Sequence, residues 1–142
     1  MSTKPESGKD LQEKFYAYQL LVEQQKVLSE QLLLLTQGME DCLGTEELIG
    51  ELQGNKTRDM IASVGKDCFM EAGIKENKII VNLGAGVLVK KNLAEALKII
   101  ESRRKEMEKS SRELGLRLER VNSEMARLEP EIQKVLEEGS SG

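Results

Sequence analysis

The chain contains no histidine and no tryptophan, and only 3% of its 142 residues are aromatic. It therefore lacks the commonest general base and the commonest side-chain ligand of transition metals. Its two cysteines, Cys42 and Cys68, do not form a zinc-binding pattern. So few aromatic residues also disfavour a compact globular core. We therefore expect an elongated protein that is not an enzyme and that uses no metal and no cofactor.

Long apolar runs are missing as well, and the first residues, Met1 to Gly8, are polar. A membrane-spanning helix needs about 20 apolar residues, and a secretory signal needs an apolar segment after a basic start. Charge is plentiful but mixed, since 25 acidic and 21 basic residues leave a net charge of −4. No basic face is available to neutralise phosphates. These features predict a cytoplasmic protein with reduced cysteines that binds neither membranes nor nucleic acids.

Both ends of the chain carry apolar residues at alternating spacings of three and four. The N-terminal stripe comprises Leu11, Lys14, Tyr18, Leu21, Gln25, Leu28, Leu32, Leu35, Met39 and Cys42. The C-terminal stripe comprises Leu93, Leu97, Ile100, Arg104, Met107, Ser111, Leu114, Leu118, Val121, Met125, Leu128, Ile132 and Val135. Such heptad stripes are typical of coiled-coil helices. Because one narrow stripe does not stabilise a lone helix, we expect the two helices to pair with each other as an antiparallel hairpin.

Between the stripes, apolar residues recur at every second position, which indicates β-strands. Gly65-Lys66-Asp67 interrupts the first such segment, and Gly84-Ala85-Gly86 interrupts the second. Gly84-Ala85-Gly86 also begins like a dinucleotide-binding fingerprint, but Val89 occupies the position of the third glycine in that motif and a strand follows. Two tight β-hairpins are the favoured interpretation. Their four strands are too few to close a barrel, so we expect oligomerisation through this region.

The predicted organisation is α+β, with one domain over residues 10–138. Its parts are a disordered tail at 1–9, a helix at 10–53, two hairpins at 57–91, a helix at 92–137 and a disordered tail at 139–142. Asp10 and Asn92 are suitable N-caps for the two helices, and Gly54 is suited to end the first. Pro130 predicts a kink or a restart of the second helix.

The segment from Asn82 to Ala96 reads NLGAGVLVKKNLAEA. It resembles the α class of prefoldin, an ATP-independent chaperone of archaea and eukaryotes. Members of that class place a Gly-x-Gly turn before a valine-rich strand, a basic pair and a helix cap. The matching residues here are Gly84, Gly86, Val87, Val89, Lys90, Lys91 and Asn92. The similar organisation extends from Asp10 to Leu136, and two hairpins rather than one indicate the α and not the β subunit.

The resemblance implies an α2β4 hexamer with prefoldin β subunits, in which the hairpins assemble into an oligomeric β-barrel platform. Coiled coils would extend from this platform, bind unfolded polypeptides at their tips as a holdase, and deliver them to a group II chaperonin. The candidate subunit-interface residues are Ile79, Val81, Leu83, Val87 and Val89. The alternative is a structural coiled-coil scaffold or filament-forming protein that uses the same hairpins.

In an antiparallel hairpin, one tip contains the start of the first helix and the end of the second. The candidate client-binding residues are therefore Leu11, Phe15, Tyr16, Met125, Leu128, Ile132, Val135 and Leu136. For the five that lie on the heptad stripes, packing between the helices is the alternative role. Phe15, Tyr16 and Leu136 lie off the stripes and are the sharper candidates.

Overall fold

The computed structural model describes residues 4–54 and 59–140 of the chain. Its elements are helix α1 at Lys4–Gly54, strands β1 at Asp59–Gly65, β2 at Cys68–Gly73, β3 at Lys78–Gly84 and β4 at Val87–Asn92, and helix α2 at Leu93–Ser140. The strands form two antiparallel hairpins, β1 with β2 and β3 with β4. Two long helices with two small β-hairpins between them confirm the predicted α+β fold.

Contacts between residues divide the chain into two compact units. The terminal unit joins the residues of α1 up to Gln37 with the residues of α2 from Glu108 onward, and the central unit comprises Gly38–Met107. The central unit contains both hairpins and the helical segments that flank them.

The helices of the terminal unit are antiparallel. Gln25 Nε2 donates a hydrogen bond of 2.6 Å to Asn122 Oδ1. The Tyr18 hydroxyl donates one of 3.1 Å to Glu129 Oε1. The residue that comes earlier on α1 thus meets the residue that comes later on α2, as the paired stripes predict.

Both heptad stripes are covered in the structure. Every stripe position, from Leu11 to Cys42 on α1 and from Leu93 to Val135 on α2, is buried or half-buried. Two charged members of the stripes have oppositely charged partners: Lys14 Nζ lies 3.1 Å from Asp10 Oδ2, and Arg104 Nε donates a hydrogen bond of 2.8 Å to Glu46 Oε2. Such pairing matters because a buried polar group without a partner destabilises a seam.

The ends of the helices differ from the prediction. α1 begins at Lys4 rather than at Asp10, so the predicted disordered tail is helical from Lys4 onward. Pro5 is compatible with this start because the N–H it lacks has no intrahelical partner in a first turn. α2 continues to Ser140 without a restart at Pro130, whose side chain is exposed. Water can therefore reach the helical carbonyls that Pro130 leaves without a donor.

Some predicted features lie outside the described residues. These are residues 1–3 of the expected N-terminal tail, residues 57–58 at the start of the first hairpin, and residues 141–142 of the expected C-terminal tail.

The core of the central unit lies where one face of the β3–β4 hairpin packs on both helices. Ile49 of α1, Val81 of β3 and Ala96 of α2 form its centre, with exposed fractions of 1%, 5% and 0%. Partly buried apolar side chains pack around them, namely Ile79, Val89, Leu93, Leu97, Ile99 and Ile100. The guanidinium of Arg103 also donates a hydrogen bond to the main-chain oxygen of Asn82 in β3.

The β3–β4 turn requires left-handed backbone. Gly84, Ala85 and Gly86 have φ values of 103°, 50° and 78°, and the Gly84 N–H donates to Asn82 Oδ1 at 2.8 Å. Glycine suits such a tight hairpin turn because it has no Cβ to clash with the backbone. The predicted turn interpretation is thereby confirmed for this segment.

Asn92 caps α2 as predicted. Its Oδ1 accepts a hydrogen bond of 2.8 Å from the Glu95 N–H, and its Nδ2 donates one of 3.1 Å to Glu95 Oε1. This reciprocal arrangement is a variant of the capping box, with an amide in place of a hydroxyl. It gives one free N–H of the first turn a partner and joins β4 directly to the helix.

Candidate functional site

The beginning of α1 and the end of α2 form an open apolar groove in the terminal unit. This terminal groove has a volume of about 610 Å³. Its lining residues are Phe15, Tyr18, Glu129, Ile132, Gln133, Leu136 and Glu137. The apolar lining comes from Phe15 on α1 and from Ile132 and Leu136, which are four residues apart on one face of α2. Phe15 and Leu136 therefore leave apolar area open to solvent in this groove.

The residues at this end differ in how accessible they are. Phe15, Tyr16 and Leu136 are exposed, with 65% of the Tyr16 side chain open to solvent. Leu128 and Ile132 are buried, and Leu11, Met125 and Val135 are half-buried. This division follows the heptad positions, since the covered residues lie on the stripes and the exposed ones lie off them.

The structure thus brings part of the predicted client-binding set together. Phe15, Ile132 and Leu136 share the terminal groove, whereas Tyr16 is exposed but does not line it. Leu128 lies in the seam and is not available to another molecule without separation of the helices. Packing between the helices is therefore the main role of Leu128.

Charged and polar groups hold this end of the helix pair together. Lys14 lies 3.5 Å from Glu131 Oε2 on α2, in addition to its contact with Asp10. The hydrogen bond to Asp10 raises the pKa of Lys14 above its usual value, although burial acts in the opposite direction. Burial, followed by the hydrogen bond to Glu129, raises the pKa of Tyr18.

A second cluster of charges lies on α2 itself. Arg127 Nη2 is 2.8 Å from Glu124 Oε2, and its Nη1 is 3.5 Å from Glu131 Oε1. The hydrogen bond to Glu124 raises the pKa of Arg127 above its usual value. These are exposed pairs, which contribute little to stability but favour one orientation of the side chains.

The predicted subunit-interface residues differ in their surroundings. Val81 is buried in the core of its own chain, where the half-buried Ile79 and Val89 pack around it. These three side chains are on the face of β3–β4 that meets the helices. Leu83 and Val87 are exposed, and for them the interface assignment stays a prediction.

The opposite faces of the hairpins carry exposed apolar residues that are not among the predicted interface residues. Ile80 and Leu88 are exposed on the second hairpin, and Ile61 and Phe69 are exposed on the first. Phe69 leaves 67% of its side chain open to solvent. Ile79, Ile80 and Val81 are consecutive apolar residues, so both faces of β3 carry apolar side chains. This pattern predicts a strand with two contact surfaces.

Tyr18, Gln133 and the acids Glu129 and Glu137 line the terminal groove and were also missed. The stripe position of Tyr18 predicts a seam residue and does not reveal that its ring also borders a groove.

Across the described residues, no three acidic or thiol side chains come close enough to hold a metal ion. None of the described helices combines the length and apolar character that crossing a membrane requires.

Comparison with known proteins decides the family. The model of the prefoldin family, described as prefoldin subunit, matches residues 21–138. The chain belongs to the prefoldin family. The match includes most of both helices and both hairpins. Members of the prefoldin family are chaperone subunits.

Curated archaeal proteins are similar to this chain over most of its length. Prefoldin subunit alpha 1 of Thermococcus kodakarensis is 33% identical over 103 residues, which are 71% of this chain and 70% of that protein. Prefoldin subunit alpha of Archaeoglobus fulgidus is 26% identical over 128 residues, which are 89% and 93% of the two chains. The resemblance to prefoldin α subunits is thereby confirmed.

A solved structure shares the fold. The filamentous PFD of Methanocaldococcus jannaschii, determined by cryo-EM, aligns with a TM-score of 0.67 at 18% identity. The alignment covers 80% of this chain and 95% of the other. The arrangement of long helices and small hairpins is therefore the fold of a prefoldin-family protein.

Proposed function

We propose that this chain is a subunit of a cytoplasmic, ATP-independent chaperone of the holdase type. It captures unfolded polypeptides at the end of its helix pair and delivers them to a group II chaperonin. The observation that carries the proposal is the exposed apolar surface at the terminal groove, in a chain of the prefoldin family. The structure supports a binding function because this surface is open and its lining includes the exposed apolar side chains of Phe15 and Leu136.

The chemistry of the groove suits clients that have no fixed shape. An unfolded chain offers single apolar side chains separated by solvated backbone, and Phe15 and Leu136 present apolar area to receive them. Each such contact buries little area and is weak, at about 25 cal/mol per Å² of apolar surface. Several weak sites on one assembly bind together far more tightly than one alone. Capture therefore favours an oligomer over a lone subunit.

The assembly that we propose is an α2β4 hexamer with prefoldin β subunits, held by a β-barrel of hairpins. The support for a contact in this region is the exposed apolar face of each hairpin, with Ile61 and Phe69 on one and Ile80 and Leu88 on the other. Unpaired strand edges and exposed apolar faces are the surfaces that a neighbouring hairpin covers.

The client site is tested by substitutions of exposed residues, which leave the seam intact. A triple variant with Phe15→Ser, Tyr16→Ser and Leu136→Ser is compared with a control triple at Val22, Leu43 and Leu116. The control residues are also exposed and apolar but lie outside the terminal groove. Suppression of aggregation of a chemically unfolded client is measured for both hexamers at equal subunit concentration.

We expect the variant with Phe15→Ser, Tyr16→Ser and Leu136→Ser to lose most of its suppression while its mass and helical circular dichroism stay unchanged. The control triple keeps suppression at the level of the unchanged chain. Equal suppression by both variants would rule out client binding through Phe15, Tyr16 and Leu136. Delivery is tested separately, by the transfer of a fluorescent client from the hexamer to an added group II chaperonin.

A second candidate function is a structural coiled-coil scaffold or filament. Similarity to a chain of a filamentous PFD favours it. The discriminating experiment is electron microscopy of the chain alone and after mixing with a β subunit. Long regular assemblies of the chain alone that do not suppress aggregation would support the scaffold, whereas discrete particles with β subunits support the holdase.

A further inference from the structure

A second groove runs along the helix pair within the terminal unit and shares no residue with the terminal groove. Its volume is about 660 Å³. The lining residues are Leu20, Glu23, Gln24, Val27, Leu28, Gln31, Arg117, Arg120 and Val121. The seam residues Leu28 and Val121 are the least exposed of the apolar ones and form the floor, and the exposed Leu20 and Val27 form the α1 wall. We call this surface the lateral groove.

The exposed apolar residues of the α1 wall belong to a heptad repeat that continues along α1 beyond the lining of the groove. Leu20, Val27 and Leu34 are spaced by seven residues, all three are exposed, and 68% of the Leu34 side chain is open to solvent. In an α-helix this spacing places the three side chains in one column of about 21 Å. The column on the other flank of the α1 seam begins with Val22 but continues with Ser29 and Thr36, so it is not a continuous apolar stripe.

A column with one apolar residue every two turns has the axial spacing of the apolar residues on another α-helix. A partner helix repeats its own apolar residues with the same axial spacing, so side chains of the two helices interlock over several turns. An extended strand rises about 3.3 Å per residue and does not keep this register with the column. The repeat therefore indicates a helical partner and not an extended peptide.

The α2 wall of the groove determines the charge of that partner. Arg117 and Arg120 line it, and in the described part of the chain neither guanidinium forms an ion pair within 4.0 Å. Glu23 is the acidic residue of the lining. Two cations beside an apolar column attract carboxylates placed next to the apolar stripe of a partner helix. A second copy of this groove is a poor match, because docking like on like would bring two pairs of arginines together.

We propose that the lateral groove is a docking site for an amphipathic helix of a partner protein that carries acidic residues beside its apolar stripe. The apolar column binds the stripe, and Arg117 and Arg120 select the acidic flanks. This site is independent of the terminal groove and of client capture.

The probe is a synthetic helical peptide of four heptads with Leu at its a and d positions and Glu at its e and g positions. A second peptide has Lys in place of Glu, and a third is the acidic peptide with a central proline. Repulsion between like charges disfavours self-pairing of either charged peptide. Binding to the full-length chain is measured by fluorescence anisotropy at low and high salt.

We expect the acidic peptide to bind about tenfold more tightly than the basic one, with a preference that declines as salt rises. The double variant Leu20→Ser and Val27→Ser is expected to weaken binding by about tenfold or more. The charge reversal Arg117→Glu with Arg120→Glu is expected to invert the preference between the two peptides. The matched control, Val22→Ser with Leu116→Ser, leaves binding unchanged.

Each contrary result overturns a defined part of the proposal. Equal affinity for both charged peptides, or no inversion on charge reversal, rejects the arginines as the selecting groups. Undiminished binding of the proline peptide rejects a helical partner. A fall in the oligomer mass of the Leu20→Ser and Val27→Ser variant without peptide would show that a second copy occupies the groove. Circular dichroism of each variant verifies that the helices are intact.

Discussion

The two hairpins have the same size and pairing, but only one of them contributes to the core of the central unit. The β3–β4 hairpin places Val81 in the core of the central unit, where it meets Ile49 and Ala96. In the β1–β2 hairpin the side chains of Ala62 and Ala72 are half-covered, while Ile61 and Phe69 are exposed. Both hairpins present apolar residues to solvent, but one of them also completes the core of its own chain, to which the other contributes no residue.

The difference shows that an apolar strand does not by itself indicate where its partner is. Both hairpins contain β-branched or aromatic residues, and both have left-handed residues at the turn, Asp67 with φ of 58° in the first and Ala85 with φ of 50° in the second. What differs is the presence of helix residues against one face. In the proposed assembly, a neighbouring subunit would cover the first hairpin where no helix of its own chain does, and four changes test this contrast.

The largest effect is expected for Ile49→Ala, in the core against which the second hairpin packs. Removal of three carbons from a side chain with 1% exposure leaves a cavity and should lower the free energy of unfolding by about 3 kcal/mol. The measurement is urea unfolding followed by circular dichroism at one fixed protein concentration. The control Ile61→Ala removes the same atoms from the exposed first hairpin and should cost less than about 0.5 kcal/mol in the unassembled chain. Equal losses of unfolding free energy in the two variants would show that the hairpins do not differ in this respect.

The next effect concerns the turn glycines. Gly84 has φ of 103°, which a residue with a Cβ adopts only under strain, so Gly84→Ala should lower the free energy of unfolding by about 2 kcal/mol. At Gly65 of the first hairpin no atom lies within 4 Å of an added Cβ and φ is not in the left-handed region. Gly65→Ala is therefore the matched control, with an expected change near zero. Thermal unfolding of both variants in parallel provides the comparison.

A smaller effect is expected for the assembly rather than the fold. The variant Phe69→Ser removes an exposed aromatic side chain from the first hairpin and should weaken subunit association about tenfold, or about 1.4 kcal/mol. Sedimentation equilibrium with a β subunit measures the association constant. Leu116→Ser, an equally exposed apolar change on α2, should leave association unaffected. Unchanged association of the Phe69 variant would show that the first hairpin does not contact a neighbour.

The smallest effect concerns the junction between the second hairpin and α2. Asn92→Ala removes the side-chain acceptor of the Glu95 N–H and should cost about 1 kcal/mol. Asn92→Asp keeps an acceptor oxygen at the same place and should cost much less, since a negative charge is favourable at a helix N-terminus. Urea unfolding of both variants distinguishes a capping role from a general effect of the substitution. If both lost the same stability, the cap would not be the stabilising feature.

Several features of the fold follow from local sequence alone. Periodicity reports the angular position of each residue on its own helix, and for this reason the stripe from Leu11 to Cys42 corresponds to covered positions throughout. The Gly84-Ala85-Gly86 turn and the Asn92 cap are also local, since each depends on groups within a few residues. The start of α1 at Lys4 was missed because capping signals near Asp10 outweighed a first turn that Pro5 permits.

The candidate site was less accessible to sequence reasoning. Phe15 and Leu136 could be named because they lie off the stripes at the proper ends of the helices. Phe15 and Leu136 meet in one groove, with Tyr18 in its wall, because of the axial alignment of the two helices. The heptad pattern does not determine this alignment, since a shift by one whole heptad keeps both stripes paired. A related limit applies to Val81, since strand alternation separates two faces but does not tell which one a helix covers.

The sequence by itself thus determined two heptad helices, two hairpins with their turns, the cap at Asn92 and the relation to prefoldin α subunits. The tertiary structure decided which face of β3–β4 is buried, which residues meet in the terminal groove, and that Leu20, Val27 and the arginines of α2 lie beside one another. Local patterns depend on the dihedral angles and side-chain directions of one segment. The meeting of distant side chains depends on contacts between residues far apart in the chain. The energies of these contacts cannot be read from either segment alone.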